Sequence, residues 1–357
     1  MGLPSLNIVF RTAAKESVKR SERGSVGMIV KGKAEATNPA IIYKEKDIPE
    51  SLDEITKEQV LLALKGYVNT PSKIVLYTLS GEEGDYTKAL DYFELHKVNW
   101  LCFPTIKTDK QEEAVKTWVK EQRDGRNKVK VVLPTTGSDY EGIIDYATKS
   151  VSIGEKTYTP DQFCSRIAGL LAGTPITQSS TFAVLDDVTA CTPKKRNEID
   201  VEIDAGKLVV FYDGEKIKVA RGVNSLTTIT EEKGRPWQDI TTVETMDMIN
   251  DDLTILVEDN YTGKYRNNYD NKCLLLTAAR VYLDELGKQG IIELYNIDLD
   301  AEAIRDYIVK NKGVSREDAE AMTDEEVKKQ YTDKHIFMVA NATVVETMED
   351  ITINFGV

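Results

Sequence analysis

Histidine is almost missing from this chain: His96 and His335 are the only two in 357 residues. Imidazole-based acid–base chemistry and histidine-rich metal sites therefore have little material to work with. Cysteine is scarce and scattered. Cys102, Cys164, Cys191 and Cys273 form no C-x-x-C pair, which removes zinc ribbons and local redox motifs; three of them sit in apolar runs that predict buried free thiols of a reducing compartment. No apolar stretch approaches the roughly 18 residues of a membrane span. The opening Met1-Gly2-Leu3-Pro4-Ser5 is not a signal peptide, so synthesis in the cytoplasm without a membrane anchor is expected. Positive charge is the minority too. The chain has 46 Lys and Arg against 59 Asp and Glu, a net charge of −13, which argues against nonspecific nucleic-acid binding.

Catalytic signatures are equally thin. No G-x-S-x-G, H-E-x-x-H or G-x-G-x-x-G occurs. The run Gly27-Met-Ile-Val-Lys-Gly32-Lys33-Ala34 copies phosphate-loop spacing, but Ala34 replaces the hydroxyl that would hold magnesium and Met28-Ile29-Val30 reads as a strand. The acidic pairs Asp186-Asp187 and Asp251-Asp252 point apart along the chain. Asp298-x-Asp300-x-Glu302 lacks the glycine of a calcium loop and reads as a helix start. No cofactor, metal site or catalytic residue is expected, and the balance moves toward a structural or binding role. The alternative that stays open is an enzyme built on an α/β nucleotide-binding domain.

What the chain does carry is strand and helix in alternation. Thr56-x-x-Gln59, Thr108-x-x-Gln111 and Thr159-Pro160-x-Gln162 each predict a helix start, and apolar runs such as Lys73-Ile-Val-Leu-Tyr77, Val98-Asn-Trp-Leu-Cys-Phe103 and Val129-Lys-Val-Val-Leu133 predict strands between them. This βαβ rhythm implies a largely parallel sheet covered by helices. Asp213-Gly214 predicts a hairpin turn. Beyond Trp237 the pattern becomes helical, with one helix expected from Lys272 to Leu286 and ended by Gly287. The capping box Thr323-x-x-Glu326 then leads to a strand entered at His335. The expected organisation is an N-terminal extension over 1–24, an α/β domain over 25–220, an α+β domain over 221–345 and a C-terminal strand extension over 346–357.

Both ends are patterned as half-buried strands: Leu6, Ile8 and Phe10 alternate with Asn7, Val9 and Arg11, and Ile351, Ile353, Phe355 and Val357 alternate with polar residues or glycine. Residues 11–25 carry a local charge of +3, with Arg11, Lys15, Lys19 and Arg20 in the lead, while the stretch from Ile336 onward carries −3. Opposite signs would favour the arm of one copy lying near the arm of another; unrelated solvated segments are the plainer alternative.

The run Val219-Ala-Arg221-Gly222-Val223-Asn224-Ser225-Leu226-Thr227-Thr228, then Trp237-Gln-Asp-Ile240 leading to Thr245-Met-Asp-Met248-Ile249, resembles contractile phage tail sheath proteins. So does Val344-Val345-Glu346-Thr347-Met348-Glu349-Asp350-Ile351-Thr352-Ile353. The similarity is to the shorter branch of that family, found in myophages, defective prophages and phage-tail-like bacteriocins of Gram-positive bacteria. It implies a subunit that polymerises with itself as stacked, hexameric rings around a tail tube protein, meets baseplate and tail terminator proteins, and contracts. It also implies production in the bacterial cytoplasm and assembly into a tail or tail-like particle released on lysis. The fold it implies is an outer α/β domain plus an inner α+β domain with exchanged terminal strands. On this sequence Leu6, Ile8, Phe10, Ile351, Ile353 and Phe355 would pair with sheets of neighbouring copies. Arg11, Lys15, Lys19 and Arg20 would form a tether, and Arg221, Gly222, Asn224, Thr227 and Trp237 would lie in the inner domain facing the tube. Trp237 reads equally as core packing.

Overall fold

The computed structural model describes residues 21–32, 38–80, 84–125 and 127–355. The described residues form two compact units. One comprises residues 22–248 with 290–293 and 343–355, and the other Ser21 with 249–289 and 294–342.

The first unit is built on a seven-stranded sheet. Its strands are β1 (Ser25–Gly32), β2 (Ala40–Ile42), β3 (Lys73–Ser80), β4 (Trp100–Cys102), β5 (Lys130–Leu133), β6 (Ile143–Tyr146) and, later in the chain, β10 (Lys207–Leu208). The order is β10-β6-β5-β4-β1-β3-β2, with every neighbouring pair parallel except the edge strand β2, which runs antiparallel to β3. Alternation sorts side chains onto two faces. Val26, Met28 and Val30 of β1 enter one core with helices α1 (Glu54–Leu64) and α5 (Pro160–Ala172), and Ile29 enters the other with α2 (Thr87–Leu95) and α4 (Glu112–Asp124). A short helix α3 (Ile106–Asp109) precedes α4. Two glycines permit this layering. A Cβ on Gly27 would stand 2.4 Å from Leu101 and 2.7 Å from Phe93, and one on Gly169 of α5 would stand 2.0 Å from the Ala63 carbonyl of α1.

Helix starts are set by caps, not always at the expected residue. The Thr159–Gln162 capping box with Pro160 at the first position opens α5. In α1 the cap is instead Asp53, whose carboxylate accepts the Thr56 amide at 2.8 Å, so Thr56 lies inside the helix. The helix expected from Thr108 has Gln111 at its cap, because Lys110 in the left-handed region (φ 55) separates α4 from α3. A three-stranded sheet of β7 (Val151–Ile153), β8 (Lys156–Tyr158) and β9 (Ala190–Cys191) comes next, with no counterpart among the strands expected from sequence. Helix α6 (Arg196–Asp204) precedes the hairpin of β11 (Val210–Tyr212) and β12 (Ile217–Val219), closed at Asp213-Gly214 as expected.

The chain enters the second unit inside α7 (Ile240–Asn260), so residues 221–248 pack with the α/β unit, where the sequence pattern grouped them with residues 249–345. A buried ionic network explains this. Asp247 receives both guanidinium nitrogens of Arg123 (2.9 and 3.0 Å) and the Lys130 ammonium (2.7 Å), while Lys130 also reaches Glu244 (2.9 Å) and lies over the Trp100 ring. The second unit contains α8 (Tyr269–Lys288), α9 (Ala301–Lys312), α10 (Arg316–Ala321) and α11 (Asp324–Lys328). Strands β13 (Ile292–Leu299) and β14 (Met338–Val344) pair as a two-stranded sheet. Asp300 caps α9 and Thr323–Glu326 boxes α11, both as expected. Helix α8 begins at the Asn268 cap, ahead of the expected Lys272, and runs through Gly287 instead of ending there.

Cys102 and Cys164 are buried free thiols, and burial pushes Cys102 up to about 12; Cys191 and Cys273 are only half-buried, so two thiols are sealed where three were expected. Among the described residues no helix is long and apolar enough to cross a membrane.

Candidate functional site

The segment leaving β12 is fixed by a series of directed contacts. Gly222 donates its amide to Thr181 Oγ1 at 2.8 Å, and a Cβ there would lie 2.6 Å from Ser180 Oγ, so the close approach requires glycine. The Asn224 side chain binds at both ends, donating to the Trp237 carbonyl (2.7 Å) and accepting the Leu226 amide (3.0 Å). Thr227 and Thr228 donate both their amides to Asp139 Oδ1 (2.7 and 2.8 Å), and Thr228 adds its hydroxyl to Oδ2. These bonds, the Thr228 hydroxyl foremost, bring the Asp139 carboxyl down to about 2.

Arg221 faces the other way. Its Nε donates to Glu349 at 2.8 Å and its terminal nitrogen to Asp350 at 2.5 Å, linking residues 128 and 129 apart in sequence. Ser179 donates to the second Glu349 oxygen at 2.8 Å. Burial pushes the Glu349 carboxyl up, but hydrogen bonds from Arg221, Thr181 and Ser179 outweigh it and hold the carboxyl below its usual range. The acidic stretch 345–350 is thus held down on the first unit, beginning with the Val345 amide on the Ile291 carbonyl at 3.0 Å. Beside it opens a groove of about 760 Å³ that includes Arg221, Leu226, Ile229, Asp239 and Met348 in its walls.

Past Asp350 the restraint stops. Residues 351–355 lie in no strand, with Ile351, Ile353 and Phe355 exposed to 72, 70 and 86%. The strand patterned in the sequence is therefore unformed in the single chain, because an extended segment gains regular structure only from a partner's backbone. Leu6, Ile8, Phe10, Arg11, Lys15, Lys19 and Arg20 lie outside the described residues. Of the inner-domain motif, Arg221, Gly222, Asn224 and Thr227 are brought together in one loop. Trp237 sits half-buried in a single helical turn (Arg235–Gln238), its ring under the Lys233 ammonium at 5.5 Å.

Sequence reasoning placed Glu349 and Asp350 in a motif but did not join them to Arg221, and it missed Asp139, Ser179 and Thr181 altogether. The local charge of −3 from Ile336 onward showed that Glu349 and Asp350 lack a cation nearby in sequence but not that Arg221 supplies it; no signal existed for the others. The phosphate-loop decoy is excluded at Met28-Ile29-Val30, which is strand β1. The acidic pairs are also accounted for: Asp187 binds Arg166 (2.9 Å), Asp252 accepts Tyr282 (2.8 Å), and Asp298 binds Lys328 (2.7 Å). Among the described residues no three His, Cys, Asp or Glu side chains gather as metal ligands.

Asp239 gives the site a pH dependence. It caps α7 through the Thr242 amide (2.7 Å) while facing Glu346 and Glu349; burial first, then those like charges, raise its carboxyl to about 6 against the hydrogen bonds from Thr242. A carboxyl raised on folding contributes stability below its unfolded value that is lost as pH rises through 6. Wild type is therefore expected to gain on the order of 1 kcal/mol between pH 7 and pH 5, allowing for partial solvent screening. Glu349, held low, opposes this only below about 4.5. The check is thermal melting of wild type and Asp239→Asn at both pH values; equal pH slopes would refute it.

Comparison with known proteins gives the geometry its context. The family model described as phage tail sheath protein central domain matches residues 82–225, and that of the phage tail sheath C-terminal domain matches 232–357. The tail sheath protein of Clostridium phage phiCD119 is 34% identical over 360 residues, covering 99% of this chain and 98% of that protein. Among solved structures, the sheath tail protein of Listeria innocua has a TM-score of 0.70 at 16% identity and covers 92% of this chain and 97% of its own. The contracted helical sheath of the anti-feeding prophage has a TM-score of 0.69 at 16% identity and covers 100 and 99%. Those two likenesses are of fold, and the full-length relative together with both domain matches gives the family: this chain belongs to the phage tail sheath proteins, a family of structural subunits and not of enzymes.

Proposed function

We propose that copies of this chain polymerise helically, as stacked hexameric rings around a tail tube, and contract to drive the tube through a cell envelope. The observation that carries the reading is the C-terminal arm. Its root, Glu349 and Asp350, is pinned by Arg221, while the alternating Ile351, Ile353 and Phe355 are exposed immediately beyond. Such a segment suits strand addition to a neighbour's sheet, where backbone hydrogen bonds hold and alternate side chains set register. Leu6, Ile8 and Phe10 would do the same from the other end, with Arg11, Lys15, Lys19 and Arg20 as the tether between. Residues 25–220 would face outward and 221–345 the tube, with Arg221, Gly222, Asn224 and Thr227 fixing the loop that roots the arm. Baseplate and terminator proteins would bound the polymer at its ends, and the particle would assemble in the bacterial cytoplasm and leave on lysis.

Contraction would draw on area newly buried between copies, at roughly 25 cal/mol per Å², without nucleotide. The test is deletion of residues 351–357. Full-length protein is expected to form tubes or rings in negative-stain images, and the truncated chain to stay a folded monomer with unchanged circular dichroism. Normal tubes from the truncated chain would overturn the arm's role.

A further inference from the structure

Away from the arm, the first unit carries a second groove, of about 470 Å³, between α2 and α4. Its floor is apolar, with Leu90 and Ala114 beside the Trp118 ring, and the Trp118 indole N–H is buried with no acceptor among the described residues. Its rim is acidic. Asp91, Glu113 and Glu121 line it; Glu113 is paired with Lys116 (3.0 Å), while the carboxylates of Asp91 and Glu121 have no partner among the described residues.

The complement lies on the same chain. Lys194-Lys195-Arg196 is the only run of three consecutive basic residues in a protein of net charge −13. It comes directly after Pro193 at the start of α6, where Lys195 and Arg196 are exposed; among the described residues only Lys194 of the three has a carboxylate partner, Glu202. The two surfaces share no residue, so one molecule can present its basic turn to one copy while its groove receives another.

We propose that the α2–α4 groove docks the Pro193 to Arg196 turn of a second copy. The bases would face Asp91 and Glu121 above the apolar floor. A contact between two different patches repeats head to tail, and unless it closes on itself it propagates as a filament. The inference rests on the helical-polymer reading above and adds to it a contact that does not use the chain termini.

Charge reversal tests it on the full chain. The groove variant Asp91→Lys with Glu121→Lys, and the turn variant Lys194→Glu, Lys195→Glu, Arg196→Glu, are each expected to raise the concentration needed for assembly about tenfold. Assembly is read by light scattering and by sedimentation, so that contacts short of a polymer also count. Mixing the two variants, or placing both sets of changes in one chain, restores assembly, because each reversed groove then meets a reversed turn. If reversals leave assembly of a polymerising wild type unchanged, or if only the groove variant is impaired, the basic turn is not the occupant and the proposal fails. A wild type that makes no contact between copies by either readout overturns this proposal and the sheath reading together.

Discussion

Replacing Asp247 by alanine is expected to destabilise the first unit by about 3–5 kcal/mol, the cost of stranding buried charges. Arg123, Lys130 and Asp247 have side-chain exposures of only 4, 1 and 5%, and the single carboxylate serves both cations. Its removal leaves Lys130 with Glu244 and Arg123 with main-chain carbonyls at Lys128 and Val129. For a unit of this size the melting point should fall by roughly 10 °C, at some 2–4 °C per kcal/mol. The pH profile is a second check. Burial raises the Asp247 carboxyl, but Lys130 and Arg123 more than reverse this and leave it below the usual range. Its stabilisation is therefore present above the unfolded value near 3.9 and is lost as pH falls further. Denaturation with Asp247→Ala costing under about 1 kcal/mol would show that the network does not hold residues 221–248 to the sheet. Replacing Arg123, Lys130 and Asp247 together by apolar residues, with Glu244→Gln, should cost far less than the single change, since no charge is then left unpaired.

The second large effect is on assembly and not on stability. Arg221 is partly exposed, so reversing it to glutamate should remove no more than about 1 kcal/mol from the fold. It nevertheless turns the clamp on Glu349 and Asp350 into repulsion. The arm root would lift from Ser179 and Arg221, and the concentration needed for polymer formation should rise at least about tenfold, a shift of roughly 1.4 kcal/mol per contact. Adding Glu349→Arg and Asp350→Arg should recover assembly. Melting curves and sedimentation on the same samples separate the two quantities; Arg221→Glu that polymerises at the wild-type concentration would remove the clamp from the mechanism.

Legibility in the sequence tracked the range of the interactions. The parallel sheet was readable because strand alternation and helix periodicity are local, and so were the α5 cap, the Asp213-Gly214 hairpin and the α9 start. The edge strand β2 and the β7–β9 sheet escaped because three residues or fewer carry no periodicity. The unit boundary shifted from residue 220 to 248 because Asp247 finds its cations more than a hundred residues upstream. Family-level domain matches divide at 225–232, nearer the composition change, so packing and family boundaries differ by the start of α7. For the candidate site, the Arg221 loop was legible as a motif, but its task was not. Its partners Glu349, Asp350 and Ser179 come from elsewhere in the chain, and nothing local ties them to it.

The two-stranded sheet of β13 and β14 bears on the subunit's life before it joins anything. A ladder of two strands leaves backbone donors and acceptors open along its margins, a standing invitation to aggregate. Strand β14 presents Val339, Ala340, Asn341, Ala342 and Thr343 to solvent, and of these only Val339 is a large apolar residue. A stray strand pairing there would gain main-chain hydrogen bonds but little side-chain attraction, and a net charge of −13 keeps identical molecules apart. A strip with a single large apolar side chain therefore limits aggregation of subunits that have not yet assembled. Enriching that strip in valine or isoleucine would make such aggregation easier.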